Sequence, residues 1–193
     1  MSRTSSSKRP YHHNVLVNRT NKLVRRGDRV GFGYVRGGCG HCEHCAAGEH
    51  FYCTESRQYG VNDFDKGSFS TRSVWPETLL HKIPDQIASV DAGPFMCAGQ
   101  TVFVPLVRYG VKPGDRVGIV GIGGLGHLAI QFAAKLGAEV VVFSGSENKR
   151  KEAMQLGANE FHVINDLKSG AKNLEKGIDH LLVTSAGHPD WDL

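Results

Sequence analysis

The chain has 193 residues, enough for one ordinary domain or two small ones, and its 40% hydrophobic content and 24 glycines suit a folded, turn-rich core. No uninterrupted run of about 18 apolar residues is present, which on sequence grounds excludes a membrane-spanning helix, and no apolar segment behind the N-terminus reads as a secretory leader. The formal net charge is +4, yet seven Lys and Arg (Arg3, Lys8, Arg9, Arg19, Lys22, Arg25, Arg26) fall within residues 1–27 without an acid, so the other 166 residues carry a net −3. A basic total is therefore weak evidence for a nucleic-acid partner. Five cysteines without a leader point to a reducing, cytoplasmic compartment, where clustered thiols serve as metal ligands more often than as disulfides.

Residues 1–26 read as a basic, disordered tail; their Ser- and Arg-rich composition superficially suits a transit peptide, but apolar residues are too sparse for an amphipathic helix. DRVGFGYV (28–35) reads as a strand with glycine breaks. The cysteine block that follows reads as a loop, because Gly37, Gly38, Gly40 and Gly48 interrupt any regular element. GSFSTRSVWPETLLHKI (67–83) predicts strands around Pro76, and residues 91–110 a helical connection interrupted by Pro105.

From residue 115 the pattern becomes alternating strand and helix. RVGIVG (116–121) is a short apolar run of the kind buried on both faces, and residues 125–136 carry helical spacing closed by Gly137. EVVVFS (139–144), a helix over 147–156 ended by Gly157, FHVIN (161–165) and IDHLLVTSA (178–186) continue the series. The fold class predicted is α/β with a parallel doubly wound sheet.

Four cysteines, Cys39, Cys42, Cys45 and Cys53, follow the spacing C-x2-C-x2-C-x7-C. Four thiolates in a curling, glycine-rich loop suit the tetrahedral geometry of a structural zinc ion. His41, His44 and His50 are the competing ligands, read as solvated because four thiolates already saturate the ion. The loop holds two acids, Glu43 and Glu49, and no Lys or Arg, the wrong charge for a zinc ribbon that binds phosphates.

GIGGLG, with Gly121, Gly123 and Gly126 as the spaced glycines and Gly124 and Leu125 between them, follows a strand and opens a helix, the context of a dinucleotide turn. At the end of the second strand stands Ser144, where NAD enzymes place an acid against the ribose 2′-hydroxyl. Lys149 or Arg150 can supply charge for a 2′-phosphate, so NADP(H) is favoured over NAD(H). Glu147 complicates this, and is read as the partner of Ser144 in a capping box.

The stretches GDRVGFGYVRGGCGHCEHCAAGEHFYC (27–53), GSFS…HKIPD (67–85), residues 94–144 from PFMCAG through the glycine motif to VVFS, and KRKEAMQLGA (149–158) resemble, in order and spacing, the zinc-dependent medium-chain alcohol dehydrogenases, in their cinnamyl-alcohol-dehydrogenase-like branch. The resemblance implies a partial GroES-like β domain with a structural-zinc lobe over 27–92, followed by an incomplete Rossmann domain over 93–193. It implies that Cys97, in PFMCAG, is a ligand of a catalytic zinc; residues alone leave an inert buried thiol as the alternative. Ser144, Ser146 and Lys149 resemble the NADP-binding pattern of that branch. An alcohol or aldehyde substrate, no membrane or nucleic-acid partner, and homodimeric full-length relatives are further implications. The resemblance also places the other catalytic-zinc ligands upstream, where residues 1–26 hold no cysteine and no glutamate, and it expects six sheet strands where four are seen. Both ends are therefore expected to be truncated. The alternative is a fragment that binds one structural zinc and part of NADP(H) without turnover.

Overall fold

The structure, a computed structural model, describes residues 23–170 and 174–187, and the chain divides into two compact units, Met1–Met96 and Cys97–Leu193. Of the basic segment expected to be a tail, residues 1–22 lie outside the described residues. Val24 is buried, and Glu77 Oε1 accepts the N–H groups of Leu23 and Val24 at 2.6 and 3.0 Å.

The first unit is built from short pieces. Strand β1 (Val30–Gly31) pairs antiparallel with β4 (His81–Lys82), and β2 (Val35–Gly37) pairs antiparallel with β3 (Arg57–Gln58). The strand expected over 28–35 is thus two strands, separated by Phe32–Tyr34. The cysteine block is not wholly irregular: it contains helix α1 (Glu43–Ala46) and a 3-10 turn, His50–Tyr52. Residues 67–76 form no strand, and Glu77–Leu79 makes a 3-10 turn before β4. Phe32 stacks on Trp75 at 4.3 Å, with the Arg36 guanidinium 5.6 Å from the same ring and paired to Asp63 at 2.7 Å. Aromatic stacking and a paired arginine thus stand in for a large aliphatic core.

Helix α2 (Ser89–Pro94) leads through a π turn, Phe95–Gly99, into α3 (Gln100–Arg108). The helical connection is present, but Pro105 does not interrupt it as expected: it forfeits one N–H bond, while its carbonyl still accepts Tyr109 N–H at 3.0 Å. The helical run Ser89–Arg108, 20 residues at mean hydropathy 1.2, is long and apolar enough to cross a membrane by length and composition. The exclusion drawn from the sequence therefore does not hold by length and composition: it asked for an unbroken apolar run, and Asp91, Gln100 and two prolines interrupt a segment that is apolar on average.

The second unit confirms the doubly wound sheet. Strands β5 (Arg116–Val120), β6 (Glu139–Ser144), β7 (Glu160–Val163) and β8 (His180–Val183) are parallel in the order β7-β6-β5-β8. Val117, Ile119, Val140, Val141 and Val142 have no exposed surface. Helix α4 (Gly126–Lys135) covers one face with Ala129, Ile130 and Ala133. On the other, Ile164, Leu167, Leu174 and Ile178 pack against Val120, Val141 and Phe143. Burial on both faces is why these strands read as continuous apolar runs. Helix α5 (Arg150–Leu156) follows a 3-10 turn, Glu147–Lys149, and ends at Gly157, whose φ of +112° a side chain would resist. FHVIN is not all strand: Ile164 opens a short helix, α6 (Ile164–Lys168).

At the N-terminal edge of this sheet, Arg116 is 6% exposed and donates to Glu139, to Glu160 at 2.8 Å and to the Gly177 carbonyl at 3.0 Å, while Asp179 accepts its backbone N–H. One guanidinium thus joins β5, β6, β7 and the entry to β8. Arg116, and then His162, hold the Glu160 carboxyl down to about 2. The folded value lies below the unfolded one of about 4.3, so this contribution is complete above that pH and disappears as pH falls towards 2. Thermal midpoints measured across that interval should fall with pH, and Glu160→Gln should flatten the fall; an unchanged slope would show that Glu160 is not the titrating group.

Candidate zinc lobe and dinucleotide site

The four cysteines converge. Their Sγ atoms all lie within 4.8 Å of one another, with Cys39 and Cys45 at 4.0 Å, close to the roughly 3.8 Å edge of a tetrahedron whose sulfurs sit about 2.3 Å from zinc. Cys45 and Cys53 are buried, Cys39 and Cys42 half-buried. Helix α1 carries Cys45 and follows Cys42, so one turn of helix brings these two thiols to the same side. Gly38 passes so close that a Cβ there would stand 2.8 Å from Cys45 Sγ and 3.0 Å from Cys53 Sγ.

The backbone supplies the charge-stabilising donors. Cys42 N–H points at Cys39 Sγ at 3.3 Å, and the N–H groups of Cys39 and Glu55 both point at Cys53 Sγ at 3.4 Å. Backbone donors from His41 and Cys42 draw the Cys39 thiol down to about 6. Cys45 receives a lowering bond from Gly40, but burial and the three neighbouring thiols push it up to about 12. Four thiolates cannot share this space without a cation among them, and a divalent ion supplies it. The lobe fits zinc. Cys39, His41 and Glu55 form the other group of ligand atoms within that distance among the described residues, sharing Cys39 with the first. Cys97 belongs to neither; it is exposed, in the π turn Phe95–Gly99, so the buried-thiol alternative does not hold.

The dinucleotide motif sits where the sheet order reverses. Gly121 follows β5 with φ +91°, and a Cβ there would lie 3.2 Å from the Ser185 nitrogen beyond β8. At Gly126 a Cβ would stand 1.9 Å from the Gly121 carbonyl oxygen, so helix and strand approach as closely as backbone permits. A Cβ at Gly123 or Gly124 would meet nothing within 4 Å, which leaves open space above the turn. The hydrogen-bond ladder of α4 starts at Gly123, whose carbonyl accepts His127 N–H at 3.1 Å, and Leu125, just before the helix, accepts Ala129 N–H at 2.9 Å. Thr184 Oγ1 donates towards the carbonyls of Val120 at 2.9 Å and Gly121 at 3.1 Å. A crevice outside the carboxyl ends of parallel strands, with a helix N-terminus facing it, is where such sheets take a pyrophosphate.

Of the 2′-phosphate candidates, Lys149 folds back onto this turn. Ser144 closes β6, and its Oγ accepts Ser146 N–H at 3.4 Å. Lys149 reaches across to donate to the Ile122 carbonyl at 2.6 Å, inside the glycine motif. The expected capping box is not formed: Glu147 turns forward to Arg150, whose guanidinium fork binds both carboxylate oxygens, and Ser146 Oγ donates to Asn148 Oδ1 at 2.6 Å. A bidentate arginine outcompetes a single backbone N–H for a carboxylate.

Two family models match the chain: an alcohol dehydrogenase GroES-like domain over residues 15–85 and a zinc-binding dehydrogenase domain over 124–192. The chain belongs to the zinc-dependent alcohol dehydrogenases. It is 44% identical over 146 residues to a probable formaldehyde dehydrogenase AdhA of Bacillus subtilis, covering 72% of this chain and 42% of that one. It is 40% identical over 176 residues to cinnamyl alcohol dehydrogenase 7 of Arabidopsis thaliana, with coverages of 87% and 49%. Its fold matches the crystal structure of a cinnamyl alcohol dehydrogenase from Helicobacter pylori complexed with NADP(H), with TM-score 0.74 and 30% identity over 87% of this chain and 49% of that one. The chain spans about half the length of the curated relatives it matches.

Within this chain, Gly38 and Thr184 are candidate-site residues that sequence reasoning passes over. Gly38 differs from its neighbouring glycines only by the thiols that fold over it. Thr184 gains its place from β8 lying beside β5, which no local pattern announces.

Proposed function

We propose that the protein acts as an NADP(H)-dependent zinc alcohol dehydrogenase, interconverting primary alcohols and aldehydes in the cytoplasm. The observation that supports this best is the Lys149 ammonium lying against the glycine turn, with Ser144 in place of an acid at the end of β6. The amides of residues 121–126 and the start of α4 would hold the pyrophosphate, and Ser144, Ser146 and Lys149 would receive the 2′-phosphate once Lys149 leaves the Ile122 carbonyl. A nicotinamide held there would supply or accept the hydride. Cys39, Cys42, Cys45 and Cys53 would hold zinc as a structural element, their four thiolates leaving no ligand position for substrate.

A catalytic zinc fits less well: it needs about three protein ligands, and among the described residues no metal-competent group includes Cys97. That observation favours a second reading, in which this chain binds one zinc and NADP(H) without turnover. Zinc analysis, NADPH titration and aldehyde-dependent NADPH oxidation separate the two. About two zinc ions per chain with turnover supports the first reading; about one, with NADPH binding but no turnover, supports the second. Absence of NADPH binding sinks both.

A further inference from the structure

We propose that Arg150 is a specificity-determining residue: its fork holds the Glu147 carboxylate and keeps that negative charge away from the 2′-phosphate of NADP(H). The inference rests on the NADP(H) reading above. Between Ser144 and Lys151, Glu147 is the only acid. It lies in the 3-10 turn Glu147–Lys149, and Lys149 of the same turn is bonded to Ile122 of the glycine motif. An acid at this end of a second strand is the group that selects a ribose 2′-hydroxyl and repels a 2′-phosphate. Left unpaired, Glu147 would oppose the charge that Lys149 offers.

Arg150 is built to prevent this. Its Nε and Nη2 donate to the two Glu147 oxygens, the second at 3.1 Å. From behind, Nη1 donates to the Phe161 carbonyl at 3.0 Å, and the guanidinium carbon stands 4.7 Å over the Phe161 ring. Phe161 is buried in β7. An exposed pair three residues apart is ordinarily weak because two long side chains must be ordered to make it. Here the arginine is already fixed by a carbonyl and an aromatic face, and a planar fork loses little freedom on meeting a carboxylate. Glu147, and at longer range Asp166, favour the charged guanidinium. With its fork on Glu147 and Nη1 on the Phe161 carbonyl, Arg150 is held to these partners, whereas Lys149 lies against the glycine turn, so of the two candidate cations Lys149 is the one placed for the phosphate.

The test uses the full chain as wild type, Arg150→Met, Glu147→Gln and the double variant, titrated with NADPH and with NADH. Arg150→Met is expected to lower the preference for NADPH about tenfold, the scale of one uncompensated charge a few ångströms from a phosphate, and adding Glu147→Gln should restore it. If the double variant is as impaired as Arg150→Met, or if both dinucleotides weaken equally, Arg150 is a phosphate ligand or a structural residue and the proposal is overturned. Should Arg150→Met not fold, Arg150→Lys, which keeps charge but not the fork, is expected to lose part of the preference, and full retention overturns the proposal. If the wild type binds neither dinucleotide, the NADP(H) reading fails by itself. The shielding is then judged by carboxyl NMR titration of Glu147, whose midpoint should be lower in wild type than in Arg150→Met; equal midpoints refute it.

Discussion

Cys53→Ser should strip the chain of its bound zinc, while His41→Ala should leave zinc content near wild type. Cys53 is buried, its sulfur receives two backbone N–H groups, and it is drawn within 4.8 Å of three other thiols. A serine keeps the volume but offers no thiolate, leaving three sulfurs and a gap. Loss of an outer-shell partner costs metal affinity about 10- to 100-fold, so loss of a ligand itself should exceed about 100-fold, measured by competition with a chromophoric chelator. Because the site does not exist in the unfolded chain, zinc binding energy is folding energy for the lobe. The same variant, or wild type treated with chelator, should lose amide protection over residues 38–56 ahead of the β5–β6 core. His41 Nδ1 lies 3.0 Å from the Cys39 carbonyl oxygen, and the ring belongs to the alternative ligand group. Zinc release by His41→Ala, with retention by Cys53→Ser, would assign the ion to the mixed cysteine–histidine group instead.

These two regions differ in how far the sequence announces them. Strands β5 and β6 are legible to the residue or nearly so, because burial on both faces leaves only apolar residues between Arg116 and Val120 and between Val140 and Phe143. Gly137 and Gly157 stop their helices with positive φ, a local rule that needs no tertiary context. The first unit is not legible in the same way. Its strands run two or three residues, too short for any period, and pairs such as Val30 with Lys82 join segments some fifty residues apart. Ile164 reads as strand because an apolar residue after β7 suits either state; its packing against the Val120–Val141–Phe143 cluster as part of α6 decides it. The cysteine quartet is evident from spacing, since ligand chemistry is carried by residue type. The fate of Glu147 is not, because a capping box and an arginine pair use the same carboxylate. Only the position of Phe161, across a β7 that the local pattern does not place, selects between them.

Gly126→Ala and Gly123→Ala should fail in different ways, and the difference tests the nucleotide site. At Gly126 the added Cβ would meet the Gly121 carbonyl oxygen at 1.9 Å and Thr184 Oγ1 at 2.9 Å. Neither the main chain after β5 nor a hydroxyl bonded to two carbonyls can yield without moving α4 off the sheet. Overpacking of this kind costs about 1–3 kcal/mol, so Gly126→Ala should lower the thermal midpoint and abolish NADPH binding together. At Gly123 the Cβ meets nothing within 4 Å, and the residue carries no positive φ, so alanine fits the fold as it stands. The methyl would project into the open space above the turn, where a pyrophosphate must approach the backbone. Gly123→Ala should therefore keep its thermal midpoint within about a degree or two, as surface changes outside packed regions do, yet weaken NADPH binding by at least about tenfold. Calorimetry and fluorescence titration on the two variants supply both readouts. A Gly123→Ala chain that folds and binds NADPH as wild type does would mean that the space above the turn is not where the phosphates lie, whatever Gly126→Ala shows.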